Sequence, residues 1–521
     1  MGIFSWFATG NWNKPGAVTP SSRALKASVG YNGASGGRRM SGWNGSILGP
    51  NTITLGDWQQ LLRRSRDAIR NSAIASSAIQ RFESNIIGTG IVPHFTHEDP
   101  DIRSDIQNAF DQWTKKADFA GQLSFYGLQS LLARELFEAG ECFVRFHVVD
   151  EDDAYFQCQL IESEQVPVYL NMTQTGLDPN TVIKEGVIFD KNTDKRVGYR
   201  LYRGQPYDSV VNPFNGIQFI TLSTDEMIHI MKPTRAGALR GTPMMASVLP
   251  LLYDIEGYAD SERLRKRLAS MFAFFITKPA IEDSVVPISN EQFTTDPGVD
   301  ITKLEPGTMQ ELLPGESIVV PQVPHSPDYV AFMNCELHKF AAGVGLTYEQ
   351  LTGDMTGVNY SSARVALLEF RRSAEQFQRH IIVNQFCAPI LKKWMKEAVL
   401  AGELELPDDY VSNPAVYEAC AWVGDGFGWT DPLKEVQSAQ MSVRCGFTSR
   451  SMVIRQNGFD PATVDAEIAI ERKREELLGI ITDTNSNVVL IGKETQPLTT
   501  TQPDPSQDSN QEATQDTDSG S

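Results

Sequence analysis

A serine near the amino terminus is the first side chain whose surroundings suggest chemistry. Residues 33–37, Gly-Ala-Ser-Gly-Gly, match G-x-S-x-G, the turn that presents the nucleophile of many hydrolases. That turn needs a strand before the serine and a helix after it, and the Gly-rich surroundings predict neither. So short a pattern also arises by chance in such sequence. We therefore interpret the segment as part of a flexible arm, and a hydrolase with Ser35 as nucleophile stays an alternative.

Residues that could bind phosphate or metal ions lack the partners such sites need. The Gly492-Lys493 pair is followed by Glu494 and has no G-x-x-x-x-G pattern before it, so no P-loop is predicted. The Pro-Asp pairs at 100–101, 327–328 and 407–408 are followed by no convincing acidic-x-Lys group, which one type of metal-dependent nuclease requires. The six cysteines form no C-x-x-C pair and have no histidine at zinc spacing. The sequence predicts no cofactor and no metal site, and a nuclease stays an alternative.

Four polar residues in the middle of the chain allow two interpretations. His229 lies in an alternating, strand-like run, where a hydrogen-bonded structural histidine is favoured over a catalytic one. Glu135, Glu138 and Glu141 recur every three residues near a predicted helix end, a spacing that could gather carboxylates around a metal. A solvated face or a salt bridge to another subunit is the preferred interpretation of the three glutamates.

Two basic clusters are the strongest cationic features, and each has two open interpretations. Contact with DNA is one of them. The favoured one is pairing with acidic residues of a neighbouring subunit, which offsets repulsion in an acidic assembly. The clusters comprise Arg263, Arg265, Lys266 and Arg267, and Arg63, Arg64, Arg66 and Arg70.

Length and charge limit the class of protein. At 521 residues the chain exceeds a single core, so several subdomains are expected. The net charge of -19 argues against a protein that grips nucleic acid over its whole surface, because phosphate binding depends on clustered cations. No secretory signal is present, and the apolar runs fall short of the ~18 residues of a membrane span. A soluble protein made in the cytosol is expected.

The elements that would position these residues alternate between helical and β-rich stretches. Residues 1–52 predict an extended arm that could order only against a neighbour. Predicted helices run from Asp57 to the Gly88-Thr89-Gly90 segment, from Ile102 to Thr114 and from Tyr126 to Ala139. Short strands are predicted over Cys142 to Val149, Tyr155 to Ile161, Thr181 to Phe189, Val197 to Tyr202 and Ile217 to Leu222.

The second half predicts longer helices. A helix should begin with Thr242 as N-cap and Pro243 as its first residue, run to about Phe275 and kink at Pro250. A further helix is predicted after Ser326-Pro327-Asp328, ending at Gly345. The next begins at Ser361 and reaches Gly402, with a bend at Pro389. Two shorter helices are predicted, one after Thr448 and one that starts at Asp460-Pro461 and runs to Leu478. The remainder carries acidic residues and no aromatic residue from Thr495 on, which predicts a disordered tail.

Five segments, in order along the chain, resemble the portal proteins of lambda-type tailed bacteriophages. No single segment is decisive, but five in the expected order make chance a poor explanation. They are RRSRDAIRNSAIASSAIQRFESNIIGTGI (63–91), LSFYGLQSLLARELFEAGECFVRF (123–146), HIMKPTRAGALRGTPMMASVLPLL (229–252), GVNYSSARVALLEFRR (357–372) and WTDPLKEVQSAQMSVRCGFTSR (429–450).

The resemblance implies a mixed α/β, multi-domain portal fold with wing, stem, clip and crown, assembled as a ring, dodecameric in heads, around a central channel. It implies these regions: an arm, 1–52; a wing domain, 53–241; a first stem helix, 242–277; a clip domain, 278–324; a second stem helix, 325–345; a tunnel loop region, 346–361; a long helix linking to wing and crown, 362–402; C-terminal wing and crown helices, 403–480; and an acidic tail, 481–521.

The resemblance also implies the site and the partners. The implied DNA-facing tunnel loop comprises Thr352, Gly353, Asp354, Met355, Thr356, Gly357, Val358 and Asn359. The implied partners are the terminase large subunit, head-completion or connector proteins, major capsid and scaffold proteins, and the double-stranded viral DNA in the channel, with no membrane. The implied location is the capsid portal vertex of the virion, after assembly in the host cytoplasm.

Overall fold

The computed structural model describes residues 45–148, 155–172, 179–207, 218–271, 275–277, 317–319, 328–356, 359–426, 432–459 and 461–480. Ser35 and the rest of residues 1–44, most of the segment predicted as clip, and the tail from residue 481 lie outside this set. All statements below concern the described residues.

Helices occur throughout the described chain. In chain order they are α1 Pro50–Asn71, α2 Ala73–Ile86, α3 Pro100–Trp113, α4 Phe125–Glu138, α5 Leu249–Met271, α6 Tyr329–Val344, α7 Tyr348–Thr352, α8 Tyr360–Phe377, α9 Ala388–Ala401, α10 Pro414–Tyr417, α11 Pro432–Arg444, α12 Arg450–Gln456 and α13 Pro461–Leu478. None of them is long and apolar enough to cross a lipid bilayer.

Antiparallel strands form small sheets between the helices. In chain order they are β1 Val92–Phe95, β2 Glu141–Val148, β3 Phe156–Ile161, β4 Thr181–Lys184, β5 Val187–Asp190, β6 Arg196–Tyr202, β7 Phe219–Ser223, β8 Met227–Met231, β9 Phe275–Thr277, β10 Ser317–Val319 and β11 Cys420–Val423. The sheet orders are β3-β2-β8, β4-β5-β6-β7, β1-β11 and β9-β10. The expected mixture of helix and sheet is confirmed.

Aromatic side chains fill the largest core, where α3, α4 and the β2 sheet meet α9. Phe110 and Trp394 pack edge to face with ring centroids 5.0 Å apart, and both are buried. The indole Nε1 of Trp394 donates to the hydroxyl of Tyr155 at 2.7 Å, and that of Trp113 donates to the carbonyl of Phe156 at 2.8 Å. These two buried indole donors therefore have acceptors, which offset the cost of desolvating them.

The first helical stretch is two helices rather than one. Helix α1 already starts at Pro50, seven residues before the predicted Asp57, and ends at Asn71. Ser72 then adopts an extended backbone, and its side chain accepts a hydrogen bond from the amide of Ala75. Serine competes with the helical backbone in this way, which favours a cap over continuation of the helix.

The predicted start of the helix after Gly241 is wrong. Residues 244–248 form turns, and helix α5 begins at Leu249, so Thr242 does not cap it and Pro243 is not its first residue. Pro250 consequently occupies the first turn, where the missing amide hydrogen costs no helical hydrogen bond and causes no kink. The helix ends at Met271, and residues 275–277 form strand β9 instead of a continuation.

The sheet region also differs from the prediction in two places. The run from Thr181 to Phe189 is a hairpin, with Glu185 and Gly186 both at positive φ in the turn between β4 and β5. Strand β1 was not predicted at all, and it pairs with β11 far along the chain. A pairing across so many residues has no local sequence signal, because the partner strand supplies half of its hydrogen bonds.

The long helix after the loop keeps its predicted extent but not its details. Asn359, not Ser361, is the N-cap, and its side chain accepts from the amide of Ser362 at 2.8 Å. Residues 378–387 are π-helical, so the irregularity precedes Pro389. The helix ends at Gly402, as predicted, and this glycine adopts the left-handed conformation.

Residues beyond 430 form a separate unit with little interior of its own. Helices α11 and α12 contain no buried residue, and Pro461 alone is buried in α13. Arg450 and Asp465 form an ion pair between α12 and α13 at 2.5 Å. Because so little apolar surface is covered, burial within the unit contributes little to its stability.

Candidate functional site

A fully buried ion pair joins two of the five portal-like segments. Glu141, the first residue of β2, lies 2.6 Å from the guanidinium of Arg240, and both side chains have no exposed surface. Arg240 also donates to the backbone carbonyls of Ser163, Val166 and Glu185 at 2.8–3.0 Å. The pair therefore ties β2 to the turn after β3, to the β4–β5 hairpin and to the segment before α5.

Two glycines let these backbones approach. Gly140 has φ of +83°, and a Cβ there would collide with the backbone of Thr242. A Cβ on Gly241 would collide with the carbonyl of Gly140. The Gly241 backbone has to approach this closely because its amide donates a hydrogen bond to Glu141 at 2.7 Å. Glycine is required at both positions by the close approach, and at Gly140 by the positive φ as well.

His229 extends the network toward the protein surface. Its Nε2 lies 2.9 Å from Glu141, and its Nδ1 lies 3.2 Å from the guanidinium of Arg196. Burial and the nearby arginines lower its pKa, although Glu141 opposes this. A neutral ring that donates to Glu141 and accepts from Arg196 satisfies both nitrogens. The interpretation of His229 as a structural, hydrogen-bonded histidine is confirmed.

Glu135 and Glu138 belong to a different cluster, built around Arg66 of α1. The Arg66 guanidinium lies 2.6 Å from Glu164, and the other glutamates lie 3.4–3.6 Å from it. The members of this Arg66 cluster are Arg66, Glu135, Glu138, Glu162 and Glu164. It joins α1, α4 and the turn after β3.

The glutamate triad is neither a metal site nor a solvated face. Glu135 and Glu138 face a cation of their own chain, and Glu141 is separated from them because Gly140 ends the helix before it. Within the described parts of the chain, no group of three or more His, Cys, Asp or Glu side chains could hold a metal ion.

The two clusters differ in their electrostatics. Burial opposes ionisation of Glu141, but Arg240 and His229 outweigh it and lower the pKa of Glu141 to about 2. In the Arg66 cluster burial dominates, and one cation serves several carboxylates that repel one another. The pKa of Glu135 is therefore raised to about 8 and that of Glu164 to about 7.

The predicted tunnel loop follows α7 directly. Thr352 is the last residue of that helix rather than a loop residue, and Gly353 ends the helix at φ of +73°. Asp354 accepts hydrogen bonds from the amide and hydroxyl of Thr356 at 2.9 and 2.6 Å. These bonds lower the pKa of Asp354, so it is anionic at neutral pH. Met355 is exposed, whereas Gly357 and Val358 lie outside the described residues.

Helix α7, which precedes this loop, is held by contacts with α6 and α2. His338 of α6 stacks on Tyr348 with ring centroids 4.1 Å apart, and the Tyr348 hydroxyl donates to Asn334 at 3.3 Å. The hydroxyl of Ser77 in α2 donates to the carbonyl of Leu351 at 2.8 Å. These contacts hold the end of α7 against α2 and α6, and the left-handed Gly353 follows directly.

The basic cluster of α5 has ionic partners on its own helix. Glu262, which is largely buried, lies 2.6 Å from Arg265 and 3.8 Å from Lys266, while Arg263 contacts Asp260. Lys266 also lies 5.5 Å from the ring of Tyr329 in α6. Partners three or four residues away are the neighbours that helix geometry provides. These three cations share two carboxylates of the same helix, Asp260 and Glu262.

The buried ion pair was missed as a pair by sequence reasoning. Arg240 carries no local pattern, and Glu141 was assigned to the wrong group because its spacing matched that of Glu135 and Glu138. A useful signal was present, since an Arg-Gly pair and a Gly-Glu pair occur in two of the portal-like segments. Glycine beside a charged residue at two separate places is compatible with a close backbone approach around an ion pair.

Comparisons with known proteins agree with the portal-like segments. The family model for phage portal proteins of the lambda family matches residues 36–378. The probable portal protein of Halomonas phage phiHAP-1 is 26% identical over 434 residues, covering 81% of this chain and 82% of that protein. Portal protein B of Escherichia phage lambda is 23% identical over 275 residues, covering 49% and 51%.

Among solved structures, the virion of a native gene transfer agent particle contains a similar chain. The TM-score is 0.42 at 15% identity, with 81% of this chain and 98% of that chain covered. The family match spans well over half of the sequence and includes the Glu141–Arg240 pair, the Arg66 cluster and the loop after α7. The chain therefore belongs to the lambda family of phage portal proteins, which are structural proteins and not enzymes.

Proposed function

We propose that copies of this chain assemble into a closed ring at one capsid vertex and that double-stranded DNA enters and leaves through its channel. Family membership supports this role over the hydrolase and nuclease alternatives. The observation that carries it is the order of elements. Two long helices, α5 and α6, are followed by the short helix α7 and then by residues 353–359, which contain no Lys or Arg. Such a loop can touch DNA without holding its phosphates tightly.

Exposed apolar side chains support assembly with further copies. Tyr253 of α5 is 80% exposed and Val330 of α6 is 67% exposed, although α5 and α6 pack together through Tyr258 and Phe332. In the separate unit beyond residue 430, Phe447 is 84% exposed. Apolar surface on long helices is typical of subunit interfaces, and a heterologous contact that closes on itself produces a ring.

The regions of the subunit are part of the proposal. Residues 53–241 would form the wing, α5 and α6 the stem, and residues 278–324 the clip that receives the terminase large subunit and later the head-completion proteins. The C-terminal helices would form the crown. Assembly in the host cytoplasm with capsid and scaffold proteins follows from the same family role.

Electron microscopy of the purified full-length chain tests ring formation. We expect a large ring with a central hole in negative stain. A monomer or dimer at every protein concentration would contradict the proposal. DNA binding should also be weak and salt-sensitive, since a net charge of -19 leaves few cations for phosphate contacts.

The role of the loop is tested by stiffening it. The double variant Gly353→Val/Gly357→Val should still form rings and bind the terminase, but late packaging or retention of the genome should be impaired. Valine resists the left-handed backbone that Gly353 adopts, so the loop should lose conformations. The matched control is Gly345→Asn, at a left-handed helix end away from the loop, where asparagine is tolerated. Normal packaging by the double variant would rule out this segment as the moving contact.

A further inference from the structure

A cleft on the wing combines aromatic side chains with one carboxylate. It has a volume of about 120 Å³ and lies between the second and third turns of α1 and the segment after β3. Trp58, Tyr169 and Tyr207 line it, and Glu164 of the Arg66 cluster is its charged member. Aromatic faces beside a carboxylate attract a cation, and a guanidinium both stacks on rings and hydrogen-bonds to carboxylates.

The cleft contains exposed aromatic rings and a hydrogen-bond donor without an acceptor in the described residues. Tyr169 and Tyr207 are 57% and 62% exposed, so their ring faces are open to a ligand. Trp58 is only 4% exposed, and its Nε1 has no hydrogen-bond acceptor within the described part of the chain. An unpaired buried donor is costly, which favours a ligand that brings an acceptor such as a backbone carbonyl.

The charge beside the cleft also calls for a second cation. The Arg66 cluster contains four carboxylates and one guanidinium, with Arg70 and Arg134 acting on it from its edge. The pKa of Glu164 is raised to about 7 because burial and the other glutamates outweigh Arg66. A further cation at Glu164 would favour its charged form.

The chain itself supplies a complementary segment next to the cleft. Residues 1–56 contain five Lys and Arg residues and no Asp or Glu, in a protein whose net charge is -19. Arg38 and Arg39 are the adjacent pair among them, and the neighbouring Gly36, Gly37 and Ser41 are small enough for close approach. Residues 1–44 lie outside the described set.

The point where this segment joins the fold is fixed close to the cleft. Arg235 donates to the carbonyl of Leu48 at 3.2 Å, and Asn51 bonds to the backbone at Gly237 and Leu239. Gly56 lies ~9 Å along the helix from Pro50 at ~1.5 Å per residue. The eleven Cα–Cα steps from Arg39 to Pro50 can span up to ~36 Å. The arginine pair is therefore within reach.

We propose that this cleft is the docking site for the chain's own amino-terminal segment, with Arg38 and Arg39 bound between the tyrosines beside Glu164. The segment then covers the cleft of the same subunit, so docking is independent of protein concentration. Its backbone supplies the acceptor that Trp58 lacks. Ordering against the subunit's own wing differs from the arm predicted from sequence, which required a neighbour.

Limited digestion of the full-length protein with chymotrypsin tests the proposal. Tyr31 and Trp43 flank the arginine pair, and mass spectrometry can follow cleavage after each. We expect slow cleavage in the natural sequence. The Tyr169→Ala/Tyr207→Ala variant and the Arg38→Ala/Arg39→Ala variant should each be cleaved at least tenfold faster, and 0.5 M salt should speed cleavage of the natural sequence.

Matched controls separate docking from general destabilisation. Tyr253→Ala removes an exposed tyrosine of α5 that lies outside the cleft, and Lys14→Ala removes a cation from the same segment, so neither should change the rates. Equal rates in all variants would overturn the proposal. Protection that disappears on dilution would assign the cleft to another copy's segment and also overturn it. Ring formation, measured separately, does not bear on these outcomes.

Discussion

The Glu141–Arg240 pair and the Arg66 cluster both contact the turn after β3, yet the pKa values of their glutamates shift in opposite directions. Arg240 meets one carboxylate that also accepts from His229, Ser163 and Gly241, so Glu141 stays ionised although fully buried. Arg66 faces four carboxylates, so some of them hold protons near neutral pH. Burial raises the pKa of the glutamates at both sites, and the number of cations for each carboxylate decides whether that effect is outweighed.

Breaking the buried pair should have the largest effect. Arg240→Met leaves Glu141 without its main counter-charge and removes donors from three backbone carbonyls. We expect a loss of ~3–5 kcal/mol in the free energy of unfolding, measured by urea denaturation. The double variant Glu141→Leu/Arg240→Met should recover part of the loss, because no buried charge then remains unpaired. A single variant as stable as the natural protein would contradict the comparison.

Removing the central cation of the other cluster should cost less. Arg66→Met leaves four carboxylates that can take up protons, so we expect a loss of ~1–3 kcal/mol at pH 7, reduced by partial solvation. The loss should shrink at pH 5, where the carboxylates with raised pKa values are protonated. An equal loss at both pH values would show that the cluster does not hold protons.

The pH dependence of stability should separate the two sites. The folded-state pKa values of Glu135 and Glu164 are raised to about 8 and about 7, so their contribution is full at low pH and is lost as pH rises through these values. The pKa of Glu141 is lowered to about 2, so its contribution is lost as pH falls toward 2. Urea midpoints between pH 6 and 9 should therefore fall, and Glu135→Gln should flatten that fall. A steeper fall in the variant would contradict this assignment.

An exposed ion pair should give the smallest change in the free energy of unfolding. Arg263 and Asp260 are each 74% exposed at the side chain, so water already screens their attraction. Arg263→Gln should change the free energy of unfolding by less than ~0.5 kcal/mol. A larger loss of stability in the assembled protein, but not in the isolated chain, would place this arginine in a subunit contact.

Elements with local signals were predicted well. Helix α4 ends before Gly140, and Gly345 and Gly402 end their helices, as predicted. These predictions depended on a terminal glycine. Helix α3 begins at Pro100, two residues before the predicted Ile102, because Asp99 caps it and proline fits the first turn. The break at Ser72 and the late start of α5 were missed, because a cap competes with continuation of a helix and packing decides between them.

By itself, the sequence determined the mixed architecture, the long helices with the loop between them and, through five ordered segments, the portal family. Tertiary structure alone decided which glutamate meets which arginine. Glu135, Glu138 and Glu141 are evenly spaced in sequence, yet Gly140 ends the helix and turns Glu141 into another cluster with Arg240, 99 residues away. Ionic partners at such separation leave no periodic pattern, since the interaction depends on distance in space and on the dielectric that the surrounding core creates.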